Sequence, residues 1–194
     1  DIPETEVFRD ITAETPLLSK FASSAAHVSG KNLISSETGT WLKEHFCTTL
    51  ADIKRLCDNL FVSGINHHVY HGTAYSPPDE AWPGWLFYAS AQLNPQNSIW
   101  RDFPKLNEYV TRCQSVLQNG TPANDMLVYF PIHDVLHNPD RQLAAKFHIK
   151  GDWLRETAAL PFFSQLWQKG YSFDYISDRQ VTDLSAEAGT LRTP

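Results

Sequence analysis

Apolar positions along the chain follow two alternating rhythms, one helical with a period near 3.6 residues and one of short apolar runs. Thr15-Pro16 pairs a capping residue with the residue favoured in a first helical turn. Leu17, Leu18, Phe21, Ala25 and Val28 continue at helical spacing until Gly30 supplies a stop. Leu33-Ile34 centres a predicted strand over residues 31–36. A second helix is expected from Trp41 to about Phe61, with a break near residues 47–49 and a buried stripe of Ile53, Leu56, Cys57 and Leu60. Gly64 turns the chain into the β-branched and aromatic run INHHVYH, a strand closed by Gly72. A long loop rich in Pro, Trp and Gly follows. The pattern then predicts a helix over residues 97–120, with Ile99, Phe103, Leu106, Val110, Cys113 and Leu117 facing inward and Pro104 as a kink. MLVYFP, residues 126–131, is unbroken apolar sequence, as expected of a strand buried on both faces. A loop to Gly151, a helical stretch to Lys169 interrupted at Pro161, and a strand over residues 173–177 complete the order.

Strict alternation of strands and helices points to parallel βα units rather than a sandwich. No Gly-rich phosphate loop follows any strand, which removes the usual reason for an open doubly wound sheet. A complete (β/α)8 barrel runs to about 250 residues. The expectation is therefore an α/β fold of alternating parallel β/α units, about half of a (β/α)8 TIM barrel over residues 1–194, with residues 184–194 as a frayed tail.

Charge narrows the partners. Lys and Arg number 16 against 22 Asp and Glu, for a formal net charge of -6, and no basic stripe suggests nucleic acid. No apolar stretch approaches the roughly 20 residues of a membrane span, and DIPE at the start is no signal peptide. Cys47, Cys57 and Cys113 lack CxxC spacing and read as thiols rather than as a disulfide frame or zinc site. Aromatic residues make up 12% of the chain, with six Trp, which suits both an aromatic core and a site for sugars or other flat ligands.

In a barrel, chemistry gathers where strands end. Those ends offer Glu4 and Glu6, then Glu37, then His71, then His133-Asp134, then Asp174 and Asp178. Glu37 is the sharpest candidate, because a carboxylate leaving an apolar strand at the barrel mouth can serve as general base, general acid or nucleophile. Equally, it can be a charge placed at the start of the following helix. The histidines of NHHVYH do not suit zinc: period-two geometry sets His67 and His71 on one face and His68 on the other. His71 is the one expected to touch a substrate hydroxyl or steady a carboxylate. Trp82 and Trp85 either stack on a sugar or pin the loop to the core.

Several segments together resemble glycoside hydrolase family 106, the bacterial α-L-rhamnosidases. They are DIPETEVF, ASSAAHVSGKNLISSETGTWLKEHF, SGINHHVYHGTAYSPPDEAWPGWLFYAS, NSIWRDFPKLNEYVTRCQSVLQNGTPANDMLVYFPIHDV and FDYISDRQ. The resemblance implies a (β/α)8 catalytic barrel, a calcium ion near the sugar hydroxyls, and inverting hydrolysis by two carboxylic groups. Carried onto this chain, Glu37 in SSET matches a catalytic glutamate that activates water, and Glu6 in DIPETE matches an acidic residue of the calcium site. Thr5 and Val7-Phe8 depart from the family pattern, which expects a glycine and a Phe-Trp pair there. The partner glutamate is expected on an earlier strand, upstream of Asp1.

The resulting expectation is a piece of a glycosidase acting on terminal α-L-rhamnosides. Glu37 would be catalytic, His71, Trp82, Trp85, Asp134 and Asp178 would touch the carbohydrate, and Glu6 would bind calcium. Its partners would be a carbohydrate and the rest of the barrel, with no nucleic acid or membrane. The isolated piece is expected to be inactive and prone to self-association through open strand edges. The family's role on external polysaccharide implies a periplasmic or secreted protein. The rivals are a non-catalytic sugar-binding or structural fragment and a related barrel glycosidase with another substrate.

Overall fold

Parallel strands and intervening helices build a mixed α/β fold. A computed structural model describes residues 1–8, 11–137 and 152–192. In chain order the elements are β1 (Glu4–Glu6), α1 (Thr15–His27), β2 (Ser35–Thr38), α2 (Leu50–Val62) and β3 (His67–Tyr70). A 3-10 turn (Ser98–Arg101) then precedes α3 (Phe103–Asn119), β4 (Met126–Tyr129) and α4 (Ile132–His137). The last are α5 (Asp152–Arg155), α6 (Leu160–Gln168), β5 (Phe173–Ile176), α7 (Asp178–Asp183), β6 (Ser185–Glu187) and β7 (Thr190–Arg192). Among the described residues no helix is long and apolar enough to cross a membrane.

The parallel βα alternation holds, but the strands divide between two sheets. β1, β2 and β3 form one parallel sheet in that order, and β4 and β5 form a second parallel pair. Each sheet has its own apolar core. The first gathers Ile34, Trp41, Ile53, Leu56, Cys57, Leu60, Ile65, Leu93, Phe103, Leu106 and Val110. The second gathers Leu17, Val128, Phe130, Trp153, Leu154, Phe163, Phe173 and Tyr175.

α1 joins the two. Ala22 and Ala26 belong to the first core, while Leu17, with Leu18 and Phe21 against it, belongs to the second. Its polar face is buried too. Ser24 Oγ donates to Asp174 Oδ1 at 2.9 Å and accepts from the Tyr175 N–H at 2.9 Å. His27 Nδ1 lies 3.0 Å from both Asp174 oxygens, and Lys20 Nζ lies 3.7 Å from Oδ1. Burial alone would raise the Asp174 pKa, but His27, Lys20 and Ser24 outweigh it and hold the carboxyl below its ordinary range. Asp174, expected at a strand end and open to chemistry, is instead the buried anchor of β5 on α1.

Local signals placed most elements, with instructive shifts. β2 starts at Ser35, later than the apolar pair Leu33-Ile34 suggests, so Glu37 lies inside the strand rather than after it. α2 starts at Leu50 rather than near Trp41, because Thr49 and Asp52 form a reciprocal capping box that fixes its first turn. Ile53, Leu56, Cys57 and Leu60 are its buried stripe, as the spacing predicts. Pro104 opens α3 within the first helical turn, where its missing N–H costs nothing, and does not kink it; Leu117 is 40% exposed rather than inward. Pro161 opens α6 in the same way.

MLVYFP is covered on one face only. Val128 and Phe130 are buried, whereas Tyr129 is 44% exposed, because the two-stranded sheet packs a single side against the second core. The loop expected between Pro131 and Gly151 lies largely outside the described residues. Finally, the tail expected to fray carries an exposed antiparallel hairpin, β6–β7. Ala188 and Gly189 both take positive φ, 50° and 80°, which is the backbone a two-residue hairpin turn requires.

Candidate active site at the carboxylate face of the first sheet

Parallel pairing in register decides which side chains meet. Glu4 pairs with Ser35, Glu6 with Glu37, and Glu37 in turn with Val69. Partners in register share a face, and alternation along each strand sets Glu4, Glu6, Ser35, Glu37, His67 and Val69 together. The opposite face carries Ser36, Thr38, His68 and Tyr70. It is sealed by the helices: Phe61 of α2 packs edge-on to His68 with ring centres 4.7 Å apart, and Phe103 of α3 lies 5.2 Å from Tyr70. The acidic face stays open, with Val69 47% exposed.

On that face Glu6 and Glu37 stand in register on neighbouring strands. Burial, then the Glu37 charge and hydrogen bonding to it, then Glu4, push the Glu6 carboxyl up to about 7. Glu37 is steadied from the loop that follows it: the Thr40 hydroxyl donates to Glu37 Oε1 at 2.6 Å. Ser35 Oγ donates to Glu4 Oε2, also at 2.6 Å.

Gly39 makes the close turn after β2. Its φ is +93°, and a Cβ there would sit 3.1 Å from the His71 carbonyl. That turn brings His71 to the site, with Nδ1 3.7 Å from Glu37 Oε1. The same Nδ1 donates to the Ala89 carbonyl at 2.8 Å, which fixes the ring. The loop beyond is strapped back on the strand ends. Ala91 N–H donates to Gly39 O at 3.0 Å, Gly72 N–H donates to Ser90 Oγ at 2.8 Å, and Ser90 Oγ donates to Gly72 O at 3.0 Å.

Trp82 and Trp85 do not pin this loop to the core. They are 70% and 56% exposed. Trp82 leans on Phe46, ring centres 5.5 Å apart, and the Trp85 indole N–H donates to Glu80 Oε2 at 3.2 Å.

Asp134 and Asp178 belong to the other sheet. Asp178, the first residue of α7, accepts from the Tyr129 hydroxyl at 2.8 Å and lies 3.3 Å from His133 Nε2. The Tyr129 hydroxyl holds its carboxyl below the ordinary range. Asp134 is exposed in the first turn of α4. Both sheets nevertheless point the same way. The end of α1, at His27, lies beside Asn124, just before β4, while Phe21, at its middle, packs on Phe130, just beyond β4. So α1 runs antiparallel to β4 and β5, as it does to β1 and β2, and the C-terminal ends of both sheets lie on one side of it.

The structure thus gathers Glu6, Glu37 and His71, and places Asp178 with Tyr129 and His133 apart from them. Sequence reasoning missed the support given by Thr40 and the pairing of Glu6 with Glu37. Part of this was in reach: an acidic residue two positions after Glu4 on a short strand already put Glu4 and Glu6 on one face, though not the register that brings Glu37 beside them. Phe87 and Tyr88, in the same loop as the two tryptophans, were also passed over.

The first sheet thus carries an open acidic face with a histidine beside it and exposed aromatic rings next to that. Residues 9–194 match the profile of the alpha-L-rhamnosidase family, glycoside hydrolase family 106, and the chain belongs to that family. A Formosa agariphila protein bearing the name "Putative beta-glucuronidase" is 29% identical over 180 residues, which is 90% of this chain and 13% of that protein. The rhamnosidase from Novosphingobium sp. PP1Y has the same fold, with a TM-score of 0.64, 21% identity, and coverage of 100% of this chain and 17% of that one. The chain therefore spans less than a fifth of the length of these relatives.

Proposed function

We propose that the chain is part of the catalytic barrel of a glycosidase that removes terminal α-L-rhamnosyl residues, with Glu37 as the group that takes a proton from attacking water. The observation that carries this reading is the setting of Glu37: a carboxylate on an open sheet face, fixed by Thr40 and flanked by His71. One oxygen is occupied by the Thr40 hydroxyl, so the carboxylate is oriented before substrate arrives.

Two-carboxyl hydrolysis needs space for the sugar between the groups, ~6.5–9.5 Å for inversion and ~5–5.5 Å for retention. Glu6 stands in register beside Glu37 on the adjacent strand, and the two carboxyls couple too closely to leave a sugar between them. The general acid is then a carboxyl from outside these residues, on the upstream part of the barrel.

Glu6 suits the calcium site instead. Carboxylate oxygens are the hard donors calcium takes, and acidic side chains crowd this face. Among the described residues no three His, Cys, Asp or Glu side chains converge on one point. This chain would therefore supply Glu6, with Glu37 near it, toward the six to eight oxygens that ion takes. Calcium, when bound, supplies positive charge that holds sugar hydroxyls. His71, Trp82, Trp85, Asp134 and Asp178 are the remaining candidates for sugar contact, and a periplasmic or secreted location fits a polymeric external substrate.

The test is turnover by the full-length protein of an aryl α-L-rhamnoside and an aryl β-glucuronide, with Glu37→Gln beside the wild type. Rhamnoside turnover that falls by about 10²–10⁴ in kcat in the variant, at a KM within a few-fold, supports the reading. Turnover of the glucuronide alone, or a variant keeping more than about a tenth of kcat, overturns it.

A further inference from the structure

The first half of α3 is packed and the second half is not. Its buried residues are Phe103, Leu106 and Val110, and among the described residues none after Val110 in this helix is buried. Two glutamines tether the rest to β3. Gln114 Oε1 accepts the His68 N–H at 2.7 Å, and Gln118 Nε2 donates to the Asn66 carbonyl at 2.6 Å. Asn119, the last residue of α3, is exposed, as are Gly120 and the residues on to Ala123. A helix end with so little cover opens locally at small cost.

Asn119 and Gly120 are the only Asn-Gly pair in the chain. The way α3 ends leaves that pair chemically available. After α1, α2 and α6 the next N–H bonds back into its own helix: Val28 to the Ser24 carbonyl at 3.0 Å, Ser63 to Asn59 at 3.2 Å and Lys169 to Gln165 at 3.1 Å. Gly120 makes no such bond among the described residues, and its φ of −90° and ψ of 166° carry the chain away extended. Its amide nitrogen therefore stands unengaged next to the Asn119 side chain, whose Nδ2 donates to the Ser115 carbonyl at 2.6 Å. Glycine also puts no Cβ in the path of a ring closing at that point.

We infer that Asn119 is a site of spontaneous deamidation, a covalent modification that needs only water. The Gly120 nitrogen attacks Asn119 Cγ, and the new N–Cγ bond closes a succinimide ring. The Cγ–Nδ2 bond breaks, and Nδ2 leaves as ammonia with the proton that the Gly120 nitrogen gives up. Water then opens one or other ring carbonyl, leaving aspartate or isoaspartate, with nothing oxidised or reduced. The product sets a negative charge at the C-terminal end of a 17-residue helix, against its macrodipole, and removes the amide that holds Ser115. The last turn loosens, and with it the Gln118 clasp on Asn66 at the entry to β3.

The experiment incubates the full-length protein warm and at mildly alkaline pH, with sampling over weeks. Peptide mass spectrometry that separates aspartate from isoaspartate follows each asparagine, and thermal unfolding follows the whole protein. Gly120→Ala, Asn119→Gln and wild type held in denaturant run alongside. A Cβ on Gly120 would lie 3.8 Å from the Val116 carbonyl and 3.9 Å from that of Leu117, both ordinary contacts, so Gly120→Ala keeps the helix end. Asn119 is expected to convert, mostly to isoaspartate, at a rate within a few-fold of that in denaturant, and Gly120→Ala to slow it about tenfold. The melting temperature should fall with age in the wild type and hold in Asn119→Gln. An Asn119 that stays intact in the native protein while converting in denaturant overturns the site, since the helix then protects it. Equal rates with glycine and alanine at 120 overturn the attack by that nitrogen. Conversion with no change in melting temperature overturns the loosening of α3.

Discussion

His68 shows how a single side chain can carry the pH response of the fold. It is buried between Phe61 and Thr38, and its Nδ1 sits 3.0 Å from Thr38 Oγ1. Nε2 has no hydrogen-bond partner among the described residues, so a proton there would be a buried and unpaired charge. Burial, with the neighbouring His67, lowers its pKa from 6.5 to about 4. At this group the unfolded chain takes up the proton first as pH falls, so His68 costs stability between about pH 6.5 and pH 4, against an opposite contribution from Glu6, whose raised pKa makes the folded chain take up that proton first. The loss amounts to roughly 3 kcal/mol by the linkage relation. His68→Phe should remove that loss while keeping the contact with Phe61, so that the variant gains stability relative to the wild type on going from pH 7 to pH 4, as seen by denaturant titration at pH 7, 5.5 and 4. An unaltered slope would mean that another group carries the acid response. Thr38 keeps a partner in the variant, because its hydroxyl also lies 3.1 Å from the Ser36 carbonyl.

Among the elements, α1 is the most heavily committed. Asp174 meets it with one carboxylate shared among Lys20, His27 and Ser24, and Asn124 also donates to that carboxylate. Removing it strands a buried lysine charge. Asp174→Ala should cost about 3–5 kcal/mol, whereas the paired change Lys20→Met with Asp174→Leu should recover most of the loss, because an apolar pair needs no partner. Equal destabilisation by the single and the paired change, in denaturant titration, would show that packing rather than charge holds the contact. This role was hidden in the sequence. Asp174 stands between Phe173 and Tyr175 and reads as an outward carboxylate on an alternating strand, yet all four residues of β5 are buried. Nothing local announces a partner about 150 residues away, and Lys20 and His27 look like the solvent face of an amphipathic helix. By contrast the α2 stripe was legible, because a helix that buries one face in a single core writes its burial into its own spacing.

For the whole molecule, the alternation of strands and helices was readable, and so were Glu37 and His71, since order along the chain sets which strand ends are available. The division into two sheets was not. Whether β3 and β4 pair depends on the path of α3 and the loops beside it, not on any residue in either strand. The open acidic face and the exposed side of β4 also bear on solution behaviour. The purified 194-residue chain should associate through these uncovered surfaces and strand edges, and it should not hydrolyse glycosides, because Glu6 is too close to Glu37 to act as its partner. Light scattering across a concentration series checks the first claim, and a monomeric mass up to about millimolar protein would refute it, net charge then dominating. Turnover by this chain alone would refute the second.

The double engagement of α1 also bears on which substitutions the protein can absorb. Ser23 donates to the Ser63 carbonyl at 2.6 Å on one side, while Ser24 next to it holds β5 on the other, and Ala22 and Ala26 fill space that a larger residue would contest. An ordinary surface helix keeps a permissive side where almost any polar residue will do. Nine of the thirteen positions of α1 are buried, so this helix has little such side, and a random library across it should yield few tolerated variants beyond Ala25, its exposed position.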